Sequence, residues 1–145
     1  MIGLRFFTVF GPWGRPDMLT LKLLDKIKKK ETFHINNFGN HSRDFTYIED
    51  AVNMILGLFS NYKKIKLIDY FNICSNNPVS LMKIINHIIK STKKTKLKKI
   101  EFQKADVFKT HGSNIKILKI IKLKKFSNIF GSLDKTINWH KKANY

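Results

Sequence analysis

Residues 3–18 read Gly-Leu-Arg-Phe-Phe-Thr-Val-Phe-Gly-Pro-Trp-Gly-Arg-Pro-Asp-Met and carry the strongest structural signal in the chain. The apolar, aromatic residues 2–10 end at a Gly-Pro pair, which is typical of a buried β-strand. Pro16 and Asp17 then favour the first turn of a helix, because proline loses no hydrogen bond there and a carboxylate suits the helix dipole. Apolar residues at helical spacing continue to Ile27. The stretch therefore predicts a core strand followed by an amphipathic helix.

The rest of the chain alternates between strand-like and helix-like segments, which predicts an α/β fold in a single domain. Residues 33–35 and 43–48 flank Asn-Phe-Gly-Asn and predict a hairpin. Asp50 and Ser80 are suitable N-cap residues for two further helices. The remaining expected elements are strands at 70–74 and 100–103 and helices at 113–121 and 132–142, with Trp139 packed inward.

Composition excludes several classes of protein. The chain has 145 residues, of which 43% are hydrophobic and 26% charged, as in a globular domain. No apolar run approaches the roughly 18 residues of a membrane span, and the first residues lack a signal-peptide pattern, so we expect a cytoplasmic protein. The single cysteine, Cys74, excludes an internal disulfide, and no metal site is expected because the histidines lack ligand spacing.

The formal net charge of +18 is compatible with nucleic-acid binding. Only Arg5, Arg15 and Arg43 are arginines among the 28 basic residues, however, and sites for phosphates and base edges favour arginine. Lysine, isoleucine and asparagine are enriched together, as the codons of an A/T-rich genome would produce. We therefore expect a solvated basic surface and no nucleic-acid partner, with a lysine-rich nucleic-acid-binding module as an alternative.

A second informative stretch, residues 43–50, reads Arg-Asp-Phe-Thr-Tyr-Ile-Glu-Asp. In this order, the two stretches resemble the extended short-chain dehydrogenase/reductase family of nucleotide-sugar epimerases and dehydratases. The Gly-Arg-Pro-Asp-Met run at 14–18 is most similar to the UDP-glucuronate 4-epimerases, ahead of UDP-galactose epimerases and sugar-nucleotide dehydratases. Weaker matches at 70–73, 78–81 and 103–106 extend the resemblance over nearly the whole chain.

The family has an N-terminal Rossmann domain that carries NAD and a smaller C-terminal lobe that grips the nucleotide sugar. The resemblance implies that residues 1–30 are the end of the Rossmann sheet with its following helix, and that 31–145 are the substrate-binding lobe of a truncated domain, 1–145. The family's glycine-rich loop and catalytic Tyr-x-x-x-Lys pair are expected upstream, and neither is in its proper place here. We interpret Tyr62 and Lys66, which have the catalytic spacing, as a coincidence in a lysine-rich chain.

The resemblance also implies contacts to the sugar and to the cofactor. Thr8 and Arg15 correspond to residues that bind the hexuronate carboxylate, and a guanidinium suits that anion because it forks onto both oxygens. Phe6 falls where the family's strand passes the nicotinamide of NAD, although we favour its interpretation as a core phenylalanine.

On the nucleotide side, Arg43 corresponds to the arginine that meets the diphosphate. Asp106 corresponds to the carboxylate that holds the ribose hydroxyls, with Gln103 beside it. The family's usual Pro-Gly before this aspartate is replaced by Lys104 and Ala105. The alternative for Arg43 is a surface salt bridge to a neighbouring acidic residue, Asp44 or Glu49, which would contribute little.

We therefore expect the substrate-binding C-terminal portion of an NAD-dependent nucleotide-sugar epimerase, in which hydride leaves and returns at sugar C4. No catalytic residue is expected in this chain, and we expect neither NAD binding nor activity from it alone. Its ligand would be UDP-glucuronate, and its partner a separately encoded N-terminal Rossmann half. Two further interpretations stay open: an inactive remnant of such an enzyme, and the nucleic-acid-binding module.

Overall fold

The computed structural model describes residues 1–103, 106–123 and 125–143, and the predicted α/β fold is confirmed. The described residues form seven strands and five α-helices. The strands are β1 (Ile2–Phe6), β2 (Thr8–Phe10), β3 (Phe33–Ile35), β4 (Ser42–Tyr47), β5 (Asp69–Ile73), β6 (Pro78–Ser80) and β7 (Leu97–Lys99). The helices are α1 (Leu19–Lys28), α2 (Ile48–Ser60), α3 (Leu81–Ser91), α4 (Ile115–Leu118) and α5 (Ile129–Lys142).

The aromatic run at the start of the chain forms two strands and not the single strand predicted. Strand β1 pairs in parallel with β5, whereas β2 pairs in parallel with β4. The change of partner occurs at Phe7, whose N–H donates to the carbonyl of Ile73 at 3.2 Å while its carbonyl accepts from the N–H of Val9 at 2.8 Å. This bend moves the chain from one sheet to the next and places Thr8 beside β4.

The prediction that β3 and β4 form a hairpin is wrong. Strand β3 pairs in parallel with β7, and β4 lies between β2 and an antiparallel β6. A 3₁₀ turn, Asn36–Gly39, separates β3 from β4, with φ of 47° at Asn37 and 53° at Phe38. At Gly39 φ is 87°, and a Cβ there would lie 2.5 Å from the sulfur of Met82. The left-handed turn therefore directs β4 into a different sheet.

Helix α1 begins at Leu19, later than the predicted start at Pro16. The carboxylate of Asp17 accepts from Arg15, with Nη2 to Oδ2 at 2.6 Å, and the N–H of Met18 donates to the carbonyl of Arg15 at 3.1 Å. Asp17 therefore belongs to a turn before the helix. The expected apolar face remains, and Leu23 and Leu24 are buried in the core.

The predicted cap of α2 is also wrong, because this helix begins at Ile48, before Asp50. The carboxylate of Asp50 instead accepts from the N–H and the hydroxyl of Ser127, at 3.0 and 2.9 Å. Helix α3 does start after Ser80, as predicted, although the Ser80 side chain makes no capping hydrogen bond.

Two apolar clusters organise the interior. One packs α1, α3 and α5 around strands β2, β3 and β4, and the other packs α2 against β5 and α4. Trp139 packs against the first cluster, as predicted, and its ring lies 5.3 Å from that of Trp13. The late elements are displaced from expectation, since the strand expected at 100–103 lies at β7 and the helix expected at 113–121 is the short α4.

Candidate functional site

A cavity of about 320 Å³ lies between the start of α1, strands β3 and β4, and the first turns of α3. It combines an apolar floor with convergent polar side chains, which is typical of small-molecule sites. Three of the residues that the sequence predicts for the site, Thr8, Arg43 and Asp106, line it together. The other polar or charged residues of its wall are Asp17, Lys22, His34, Asn36 and His41.

Arg43 and Asp106 form the central contact of this cavity. Nη2 of Arg43 donates to Oδ1 of Asp106 at 2.6 Å, and both side chains are partly buried. The alternative given for Arg43, a surface salt bridge to Asp44 or Glu49, is wrong, because Arg43 pairs with Asp106. Successive side chains of a strand point to opposite faces, so Arg43 and Asp44 diverge.

Asp44 is a structural residue on the other face of β4. Its buried carboxylate accepts from the N–H of Ser75 at 3.1 Å, from the hydroxyl of Ser75 at 2.8 Å and from the N–H of Gly112 at 3.1 Å. These bonds tie β4 to the segments that follow β5 and β7. Hydrogen bonds on the opposite face therefore hold the strand that carries Arg43.

His41 is a wall residue that the sequence did not indicate as part of the site. Its side chain is 1% exposed, and Nε2 lies 3.3 Å from Oδ2 of Asp106. A lone histidine without metal-ligand spacing carries little signal. The usable signal was its position two residues before Arg43, since extended residues i and i+2 lie on the same face.

Gln103 lies beside the cavity and reaches it through a neighbour. The amide Nδ2 of Asn36, a wall residue, donates to Oε1 of Gln103 at 3.3 Å. Lys104 and Ala105, which replace the family's Pro-Gly, lie outside the described residues.

The structure does not bring Arg15 into the cavity wall. Its side chain is 72% exposed, and its guanidinium forks onto Asp17, with Nε to Oδ1 at 3.1 Å and Nη2 to Oδ2 at 2.6 Å. The hydrogen bond from Arg15 lowers the pKa of Asp17 below its usual value. Because Asp17 itself lines the cavity, Arg15 lies at the rim with a carboxylate of its own chain already bound.

Phe6 lies at the end of β1, outside the cavity wall. Its interpretation as a core phenylalanine is wrong, because the residue is 54% exposed. Tyr62 is exposed on a different part of the surface, where it lines an apolar groove of about 540 Å³. Neither Tyr62 nor Lys66 lines the cavity.

The loop of residues 11–14 does not fit a dinucleotide phosphate. Pro12 has no N–H, and the N–H of Gly14 donates to the carbonyl of Gly11 at 3.2 Å. Helix α1 begins only at Leu19, so its N-terminus does not follow this loop directly. This turn therefore lacks the free N–H groups and the adjoining helix N-terminus of a dinucleotide phosphate loop.

The remaining chemistry of the described residues is limited. Cys74 is fully buried, and burial, aided by the charge of Asp44, raises the pKa of its thiol to about 11. Such a thiol is a poor nucleophile near neutral pH. The described ranges contain no group of three or more His, Cys, Asp or Glu residues that could hold a metal ion. Nor does any helix within them have the length and apolar character to cross a membrane.

A larger cavity of about 610 Å³ lies at the other end of β4, between Phe10, Tyr47 and the start of α5. Its wall includes Asp50 and Ser127, which bind each other. It contains none of the residues that the sequence predicts for the site. The smaller cavity is therefore the candidate functional site.

Residues 1–74 match the sequence model of the NAD dependent epimerase/dehydratase family, and the chain belongs to this family. The resemblance to UDP-glucuronate 4-epimerases is confirmed by curated relatives of that name. The match includes β1, the bend at Phe7 and strand β4.

Two relatives illustrate the similarity. An uncharacterised protein of Methanocaldococcus jannaschii is 39% identical over 140 residues, covering 96% of this chain and 42% of the relative. A UDP-glucuronate 4-epimerase of Thermodesulfobacterium geofontis is 33% identical over 139 residues, covering 94% of this chain and 42% of the relative. The chain therefore spans less than half the length of these relatives.

Solved structures agree on the fold. The crystal structure of UDP-glucuronic acid 4-epimerase from Bacillus cereus, in complex with UDP-glucuronic acid and NAD, superposes with a TM-score of 0.87 and 24% identity. The match covers 96% of this chain and 44% of that one. At this identity the likeness shows a shared fold, namely part of an extended short-chain dehydrogenase/reductase.

Proposed function

We propose that this chain is the nucleotide-sugar-binding portion of an NAD-dependent epimerase of the UDP-glucuronate 4-epimerase type. The observation that carries the proposal is the meeting of Thr8, Arg43 and Asp106 around one cavity. These residues come from β2, from β4 and from the loop after β7. Family membership and the relatives named UDP-glucuronate 4-epimerase support the same assignment.

The cavity chemistry suits a nucleoside diphosphate. Arg43 and Lys22 supply cationic donors to the wall, and guanidinium groups bind phosphate through paired, charge-assisted hydrogen bonds. Among the described residues, two bonds occupy Arg43: Nη1 donates to the carbonyl of Ser42 at 3.0 Å and Nη2 to Asp106. A guanidinium has five N–H donors, so Arg43 can bind phosphate without leaving Asp106.

The sugar end of the ligand would lie toward Thr8 and the rim. The hydroxyl of Thr8 supplies one donor for the hexuronate carboxylate. Arg15 would supply the second by exchanging Asp17 for the ligand, which is an exchange of one carboxylate for another. Asp106 would accept hydrogen bonds from ribose hydroxyls.

Hydride and proton transfer would depend on groups outside this chain. NAD, when bound in the complete enzyme, supplies hydride chemistry at sugar C4, whereas this chain binds and orients the substrate. We therefore expect the chain alone to show no measurable epimerase activity with NAD and UDP-glucuronate. Turnover by the purified chain would contradict this part of the proposal.

The proposed partner is a dinucleotide-binding Rossmann part, encoded separately or within a longer polypeptide. Among the described residues β1 pairs only with β5, and parallel sheets are normally covered on both faces. The 540 Å³ groove between β1 and α2 is apolar and open to solvent. The large apolar side chains exposed on or next to these elements include Ile2, Phe6, Leu56, Phe59, Tyr62, Leu67 and Ile68.

Thermal unfolding of the purified chain, with and without ligand, tests substrate binding directly. We expect UDP-glucuronate to raise Tm, because a ligand of the folded state stabilises it by about 2.7 kcal/mol at one hundred times Kd. UDP should raise Tm less, and free glucuronate should have no effect at the same concentration. A cooperative transition whose Tm does not change with either nucleotide at millimolar concentration would contradict the proposed binding role.

A further inference from the structure

We infer that His41 is a positioning residue of the ligand site, which holds the carboxylate of Asp106 in place for the hydroxyl groups of the ligand. This inference rests on the proposed function. It adds a residue that neither the sequence motifs nor the family match assigns to the site.

The first observation is an orphaned polar atom. Among the described residues, Nε2 of His41 is buried without a hydrogen-bond partner, although the ring belongs to the cavity wall. Buried polar groups in folded proteins are nearly always hydrogen-bonded, so each exception calls for an explanation. An orphaned nitrogen in a cavity wall indicates that its bond is completed when the cavity is filled.

The second observation is the direction of this nitrogen. Oδ1 of Asp106 already accepts from Nη2 of Arg43 at 2.6 Å and from the N–H of Val107 at 2.9 Å. Oδ2 lies 3.3 Å from Nε2 of His41, already within reach of a hydrogen bond, so a small rotation of the carboxylate would align the two groups. The imidazole is thus the neighbour of the carboxylate oxygen that Arg43 does not hold.

The third observation is that the imidazole is shielded from solvent. Its ring centroid lies 6.5 Å from that of Phe102 and 6.2 Å from that of Phe108. The two phenyl rings stack on each other, with centroids 4.6 Å apart and an angle of 5°. The His41 side chain is 1% exposed beside these rings, so bulk solvent does not supply a partner for Nε2.

The three observations suggest how the site responds to a nucleotide. A diphosphate would share the guanidinium of Arg43 with Asp106, and Arg43 holds only Oδ1 of that carboxylate. A proton on Nε2 of His41 lets the imidazole donate to Oδ2, so the carboxylate keeps its orientation while it accepts from ribose hydroxyls. Outer residues that orient a ligand-binding carboxylate commonly contribute to affinity in this way.

The test is a double-mutant cycle on binding, measured by calorimetry with UDP and with 2′,3′-dideoxyuridine 5′-diphosphate. We expect His41→Met to weaken UDP binding roughly tenfold and to leave the dideoxy analogue unaffected. In an Asp106→Asn background the same substitution should have no further effect. His41→Gln, whose amide can donate to Asp106, should retain most of the affinity.

Other outcomes overturn the inference in distinguishable ways. Equal losses for UDP and the dideoxy analogue, or additive losses in the cycle, would assign His41 a merely structural role. UDP binding that is unchanged in His41→Met would overturn the inference and leave the proposed function intact, whereas a wild-type chain that binds no UDP would overturn both. If His41→Met does not fold, His41→Asn, whose shorter amide withdraws the donor from Asp106, takes its place in the same cycle.

Discussion

The guanidinium of Arg43 lies 2.6 Å from the carboxylate of Asp106, which is 63 positions further along the chain. This contact joins strand β4 to the loop that follows β7 and closes the inner wall of the cavity. A partly buried ion pair is weak evidence for stability, because desolvation offsets the attraction. In the proposed function, the contact matters because it holds the group that would bind the diphosphate next to the group that would bind the ribose hydroxyls.

Replacement of Arg43 by lysine should weaken the binding of UDP by roughly ten- to a hundredfold, since hydrogen bonds to charged groups contribute about 1.5–3 kcal/mol. Lysine retains the charge but loses the planar fork. Calorimetric titration with UDP measures the change. Arg5→Lys is the matched control, because the guanidinium of Arg5 lies 4.2 Å from the ring of Tyr70, outside the cavity wall. Equal affinities for the two variants would contradict the role given to Arg43.

Arg15 and Asp17 should have opposite effects on sugar selectivity. Arg15→Ala should lower the affinity for UDP-glucuronate to that for UDP-glucose, because the carboxylate loses its guanidinium partner. Asp17→Asn should raise the affinity for UDP-glucuronate severalfold, because the substitution removes the surface ion pair with which the ligand competes for Arg15. The binding constants of both ligands measure this difference, and UDP-glucose should be indifferent to either change. A loss of UDP-glucuronate affinity in Asp17→Asn would show that the Arg15–Asp17 pair is needed as it stands.

Gly112 should tolerate no side chain. A Cβ at this position would lie 2.6 Å from the sulfur of Cys74 and 2.7 Å from Cζ of Phe7. Overpacking of this kind typically costs about 1–3 kcal/mol, so Gly112→Ala should lower the free energy of unfolding by that amount. Gly131→Ala is the control, because its Cβ would meet only Oδ1 of Asn128 at 3.8 Å within a helix. The free energy of unfolding of that variant should rise by about 0.5–1 kcal/mol. Urea unfolding measures the loss in one variant and the gain in the other.

Burial of Cys74 should make the stability of the chain sensitive to alkaline pH. The pKa of this thiol is raised from 9.0 to about 11 in the folded state. The contribution of the protonated thiol to the free energy of unfolding is therefore fully present below pH 9. It is lost as pH rises towards 11, and the loss at pH 11 is about 2 kcal/mol. Unfolding free energies of the wild type and Cys74→Ala, compared between pH 8 and 11, isolate this loss. Tyr47, whose pKa is also raised by burial, contributes equally to both proteins; parallel pH profiles would contradict the prediction.

The open groove beside β1 should make the isolated chain self-associate as its concentration rises, since exposed apolar patches and free strand edges favour association. Phe59 is 76% exposed and lines this groove. Phe59→Lys should reduce the association seen by light scattering, with little change in unfolding free energy. Ser60→Lys adds the same charge to the same turn of α2 outside the groove and should associate like the wild type. If both lysine variants behave alike, net charge and not the groove governs association.

Local pattern was sufficient to predict the amphipathic helices α1 and α3 and the strand β5, because helical spacing and short apolar runs are properties of neighbouring residues. The error at β3 and β4 arose because a left-handed turn at Asn37 and Phe38 and pairing with distant strands replace the hairpin. These pairings depend on residues far along the chain, which local pattern does not contain.

The candidate site, like the fold, was predicted from the sequence only in part. The resemblance named Thr8, Arg43 and Asp106, and the structure brings all three to the wall of one cavity. It could not predict that Arg15 binds Asp17, because that contact depends on the conformation of two exposed side chains. His41 was missed since its role follows from burial and from a neighbour distant in sequence.

The parallel pairings also constrain when the chain can fold during its synthesis. Ile2 pairs with Asp69 and Phe33 with Leu97, so each early strand waits for a partner that the ribosome makes much later. Contacts between distant segments slow folding, and a nascent chain emerges with its N-terminal residues first. The segment that forms β1 must therefore stay without its partner β5 until residue 73 has left the ribosome. Chaperone binding to that segment during translation would be a direct consequence of its strand order.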